Sequence, residues 1–62
     1  EPQYCIFFED IARNLKPAHE LGMKTVWIEN DEPWAAKYSG SAFINYRTNN
    51  LAQFLKEINE LR

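Results

Sequence analysis

Three unbroken apolar runs and two stretches with helical spacing organise this sequence. The first run, Tyr4-Cys5-Ile6-Phe7-Phe8, stops abruptly at Glu9-Asp10. Continuous rather than alternating hydrophobicity, rich in aromatics, predicts a strand buried on both faces, as in a parallel sheet. Thr25-Val26-Trp27-Ile28 is a second such run, and Ala42-Phe43-Ile44 a shorter third. Between the first two, Leu15, Ala18 and Leu21 form an apolar stripe, which predicts a short helix over residues 14–22 packed on the sheet. Asn14 suits its N-cap, Pro17 is tolerable in the first turn, and Gly22 suits the stop.

The clearest element is the last. Leu51, Phe54, Leu55, Ile58 and Leu61 share one helical face, with Gln53, Lys56, Glu57 and Glu60 turned away. Asn49 or Asn50 can cap it. Residues 29–41, with Pro33 and Gly40, read as a long loop in which Trp34 begins one helical turn. The order is therefore strand, helix, strand, loop, strand, helix, an α/β pattern whose first three elements imply a right-handed parallel crossover. If connections stay local, both helices lie on one face. Phe7, Phe8, Trp27 and Ile28 then cannot all be covered, and two sheet edges stay unpaired. The expectation is that residues 1–62 form one partial domain. They would be the C-terminal part of a larger α/β domain, or would pair with another copy of the chain.

Composition narrows this picture. A chain of 62 residues buries only about 60% of the surface it exposes when unfolded. Hydrophobic residues make up 45%, too many for a disordered tail. Nine acidic against seven basic side chains give a net charge of −2, with no electrostatic footprint for nucleic acid or an anionic membrane. No stretch approaches the ~20 apolar residues of a membrane span. Cys5 has no partner in the chain, which predicts a reducing, cytoplasmic setting, and its place in an apolar run predicts a buried, inert thiol. The opening Glu1-Pro2-Gln3 has no positive flank and reads as a cut rather than a secretory signal.

Glu9-Asp10 is the one constellation suited to chemistry. Ligands of open parallel sheets bind outside the carboxyl ends of the strands. Two carboxylates there repel each other, and Mg²⁺ relieves this while keeping waters and substrate phosphate oxygens. Neighbouring strand residues point in opposite directions, so Asp10, on the loop side, is the direct ligand and Glu9 the supporting carboxylate. The plainer reading is a solvated turn that favours the following helix. Elsewhere the signals are thinner. His19 reads as a helix-surface residue, and Lys24 and Arg47 as solvated charges rather than phosphate ligands. Trp34, Tyr38 and Tyr46 could stack a nucleobase, but such platforms come with a basic groove, and core or partner contacts explain them more simply.

The stretch Phe7-Phe8-Glu9-Asp10-Ile11-Ala12-Arg13-Asn14-Leu15, followed by Ala18, Leu21-Gly22-Met23 and Thr25-Val26, resembles the fourth motif of the haloacid dehalogenase (HAD) superfamily. There an apolar strand ends in two acids, and a helix and a second strand follow. The tail from Ala42 through Phe43-Ile44-Asn45-Tyr46-Arg47 to Thr48, then Asn50-Leu51, is similar to that family's closing strand and last helix. The pyrimidine 5′-nucleotidase-like branch resembles the chain most. The resemblance implies the C-terminal portion of a HAD-like Rossmannoid parallel sheet, three-layered when complete, belonging to a Mg²⁺-dependent phosphohydrolase of small phosphomonoesters. In such enzymes an aspartate attacks phosphorus, water releases the resulting aspartyl-phosphate, and the fourth-motif acids hold the metal. Only that last role maps here, onto Asp10 and Glu9. No Asp-x-Asp nucleophile motif is present. Asp31 runs into Glu32-Pro33 in a loop, so the first three motifs would lie upstream of Glu1. The 62-residue chain alone is therefore expected to be inactive. Two rivals remain: a non-catalytic α/β interaction module that self-associates through exposed sheet surface, and a receiver-like domain. The latter lacks an aspartate at a second strand end.

Overall fold

A computed structural model describes residues 1–60. Strand β1 spans Ile6–Glu9, helix α1 Leu15–Glu20, β2 Lys24–Ile28, the single turn α2 Pro33–Ala36, β3 Tyr46–Thr48 and α3 Leu51–Glu60. Short 3₁₀ turns at Pro2–Tyr4 and Ala12–Asn14 precede β1 and α1. The three strands form one parallel sheet in the order β1-β2-β3. The expected α/β class is thus found, with the parallel sheet and the turn begun near Trp34.

Register assigns each strand residue a face. Phe7 pairs with Thr25, Glu9 with Trp27, and Trp27 with Arg47. Since side chains alternate across a strand, these five share one side; Ile6, Phe8, Lys24, Val26 and Tyr46 share the other. On the first side Trp27 packs with buried Ala12 and Leu15, and Phe7, Ala36, Phe43 and Ile44 close around them. On the second side lies α3, whose Phe54 meets Phe8 edge-on at 6.1 Å between ring centroids and Tyr46 at 6.2 Å. The two principal helices therefore cover opposite faces, not the same face as expected. The chain leaves β3 and crosses to the uncovered side, where the apolar stripe of α3 finds Phe8, Val26 and Tyr46.

Several boundaries differ from the sequence reading, each for a local reason. Tyr4 and Cys5 are not in β1. Pro2 opens a 3₁₀ turn in which the amides of Tyr4 and Cys5 donate to the carbonyls of Glu1 and Pro2 at 3.0 and 2.9 Å. Cys5 is consequently exposed rather than buried, its thiol 3.4 Å from the Glu1 carbonyl. Leu21 is 66% exposed. A strict three-residue repeat falls behind the α-helix by about 60° per step, so Leu15 and Ala18 reach the core and Leu21 rotates out. Asn14 makes no side-chain cap, because the preceding 3₁₀ turn has already brought it to helical angles (φ −72, ψ −9). Gly22 does stop α1. At φ +92 it lets its own amide reach the His19 carbonyl (2.9 Å) and the Met23 amide reach Ala18 (3.1 Å), the paired bonds of a Schellman ending.

The third strand is Tyr46–Thr48, not Ala42–Ile44. Phe43 and Ile44 turn down onto the Trp27 cluster instead. Asn45 and fully buried Thr25 then grip each other. The Thr25 amide donates to Asn45 Oδ1 at 3.0 Å, and the Asn45 amide to Thr25 Oγ1 at 3.0 Å. The Thr25 hydroxyl also lies 2.5 Å from the Phe43 carbonyl. Pairing begins one residue later, at Val26 and Tyr46. For α3, the open choice of cap resolves to Asn50, whose Oδ1 accepts the Gln53 amide at 3.0 Å. Leu55 is 46% exposed, and Leu61 lies outside the described residues.

Candidate functional site: the acidic turn at the carboxyl edge

Glu9 is the last residue of β1 and half-buried; Asp10 follows it and is exposed. Both stand at the carboxyl end of the parallel sheet, where the chain bends at once. Glu9 folds back so that its Oε1 accepts the Ile11 amide at 3.3 Å. The main-chain carbonyl of Asp10 accepts the indole N–H of Trp27 at 2.8 Å. Asp10 Oδ2 accepts the side-chain amide of Asn30 at 3.4 Å. Asn30 sits just beyond β2, held by its own turn, in which its Oδ1 accepts the Glu32 amide at 3.0 Å. The Asp10 carboxylate thus projects from the sheet edge while Glu9 closes the turn beneath it.

The other sequence candidates fall elsewhere. Lys24 pairs with Ile6 at the amino end of the sheet, the length of the strands away from the acids. Arg47 is not a free charge: its guanidinium carbon lies 5.3 Å from the centroid of the Trp27 ring, and it donates to the Ser39 carbonyl. His19 is on the exposed side of α1. Trp34, in α2, and Tyr38, in the loop after it, are exposed, and Tyr38 takes φ +67 beneath the Lys37 ammonium. Tyr46 belongs to the α3 side, so the three aromatics do not form one stacking surface. Asp31 is exposed in the loop, as expected.

Two contributors escaped the sequence reading. Trp27 looked like core alone, yet its N–H serves the acidic turn. Asn30 looked like loop, although a polar residue immediately after a parallel strand stands beside the end of its neighbour, which is the signal that could have found it.

A second feature lies on the α3 side. Ile6, Lys24, Val26, Tyr46, Phe54, Glu57 and Ile58 line an open, mainly apolar groove of about 300 Å³. Ile6 and Tyr46 are 45% and 53% exposed there. Among the described residues no helix is long and apolar enough to cross a membrane. Comparison with family models, curated proteins and solved structures finds no match to this chain.

Proposed function

We propose that this chain is the C-terminal part of a HAD-like, Mg²⁺-dependent phosphohydrolase of the pyrimidine 5′-nucleotidase-like kind, acting on small phosphomonoesters. Its nucleophilic aspartate lies outside these 62 residues. The observation that carries the reading is the position of Asp10, an exposed carboxylate at the carboxyl end of a strand in a parallel sheet, on a turn fixed by three hydrogen bonds.

The donor set suits the ion. Mg²⁺ takes one or two protein carboxylates and completes its shell with water and phosphate oxygens. Among the described residues no group of three or more His, Cys, Asp or Glu comes together; on this reading waters and phosphate oxygens complete the shell. Asp10 would hold the ion directly, and Glu9 would keep the turn in place. When bound, Mg²⁺ neutralises phosphoryl charge and orients the phosphate. The nucleophile and the groups that steady the phosphoryl oxygens belong to other polypeptide of the same protein.

The test is a longer protein that includes the preceding coding sequence. It should carry an Asp-x-Asp after an apolar strand and hydrolyse a phosphomonoester only with Mg²⁺. Asp10→Asn should lower that rate at least about 100-fold, as loss of a metal-held charge stabiliser does. Turnover by the 62-residue chain alone, or an Asp10→Asn enzyme at full rate, refutes the reading.

The α3-side groove favours a second reading, an interaction module that self-associates through sheet surface. A concentration-dependent dimer by sedimentation at micromolar chain, lost on Ile6→Lys, would support it. A stable monomer would remove it.

A further inference from the structure

The peptide unit between Asp10 and Ile11 is gripped at both of its polar ends. Its carbonyl accepts the Trp27 indole N–H at 2.8 Å, and its N–H donates to the Glu9 carboxylate at 3.3 Å. A peptide group is planar, so the two bonds hold its plane, and Glu9, paired with Trp27 at the end of β1, holds the chain on the other side of the Asp10 Cα. Together they set the direction in which the Asp10 side chain leaves the backbone. Trp27 is itself tightly packed. It is 5% exposed, wedged among Ala12, Leu15 and Phe7, with Arg47 over its ring and the Arg47 guanidinium tied to the Ser39 carbonyl. Asn30 adds a lateral hold on Asp10 Oδ2.

Resting on the metal-binding reading above, we infer that Trp27 is a positioning residue for the Asp10 carboxylate, with Asn30 as its lateral support. A tryptophan serves here where phenylalanine would not. The packing needs only an aromatic ring, whereas the turn needs a hydrogen-bond donor emerging from the core at the strand end. An apolar interior offers few such donors, and the indole N–H is one of them. Outer partners of metal ligands act in this way, setting the orientation of the group that binds.

The experiment is a MgCl₂ titration of the 62-residue chain at constant ionic strength, following amide and indole N–H resonances. The chain has two indoles, and they act as probe and control. The Trp27 signal should move with the same midpoint as the Asp10 amide, while that of exposed Trp34 stays in place. Trp27→Phe, which keeps the ring and removes the donor, should raise the Mg²⁺ midpoint about tenfold, the lower end for such outer partners. Asn30→Ala, outside the core, should raise it in the same direction without changing the dispersion of the remaining resonances. This second variant keeps the test decisive if Trp27→Phe unfolds the chain. A wild-type response with a static Trp27 indole, or with unchanged midpoints in the folded variants, overturns the positioning role and leaves the metal reading intact. No localised response in the wild type overturns the positioning role in this chain, while the hydrolase reading stands or falls with the longer protein.

Discussion

The two faces of the sheet are built from similar residues and reach different degrees of closure. On the α1 side, Ala12, Leu15, Trp27 and Ala35 are buried to 5% exposure or less. Three separate segments converge there: the turn into α1 with α1 itself, the α2 turn, and the Phe43-Ile44 descent. On the α3 side a single helix lies over the sheet; Val26 beneath it is fully buried, but none of the helix's described residues is, and Ile6 and Tyr46 stay largely exposed beside an apolar groove. The difference lies in connectivity rather than hydrophobicity. Connections that pass over a face leave their own apolar residues on it, whereas the α3 face receives only the helix after the last strand. The closed face is also the one that reaches the acidic turn, through Trp27.

This contrast can be broken by substitution. Leu15→Ala, at a site with no exposed surface, should cost about 3 kcal/mol in denaturant unfolding, within the range for buried leucine. That is a large part of what a domain of this size holds. Phe54→Ala, on the half-open face, should cost less, about 2 kcal/mol, because its side chain is only partly buried. Equal losses at the two sites would mean that the faces are equally closed. Gly22→Ala should cost about 1 kcal/mol through backbone angle alone, since the new methyl would meet only the Pro2 Cβ at 4.0 Å. Asp10→Asn should change stability least, because its carboxylate makes one long, exposed hydrogen bond.

Much of this was legible in the chain. The first two parallel strands announced themselves as continuous apolar runs, α3 as a stripe, and the acids as the end of the first run. The features that were not legible depended on contacts between distant segments. Nothing local says that Asn45 will clamp Thr25 and delay β3, or that Phe43 and Ile44 serve the core better as a descending turn than as a strand. Cys5 failed for a nearer reason, the 3₁₀ turn imposed by Pro2. At the acidic turn, sequence pointed to Asp10 and Glu9. It hid Trp27 because an indole in an apolar run looks like packing until its N–H has somewhere to go.

The central claim is that Asp10 marks a cation position at the carboxyl edge of the sheet, and Mn²⁺ in trace amounts tests it most directly. Paramagnetic broadening should be strongest at the amides of Glu9 through Asn14 and Asn30 and at the Trp27 indole N–H, fading with distance from Asp10, and Asp10→Asn should abolish it. Broadening centred on the acidic residues of α3, or spread evenly over exposed carboxylates and untouched by Asp10→Asn, would contradict the account.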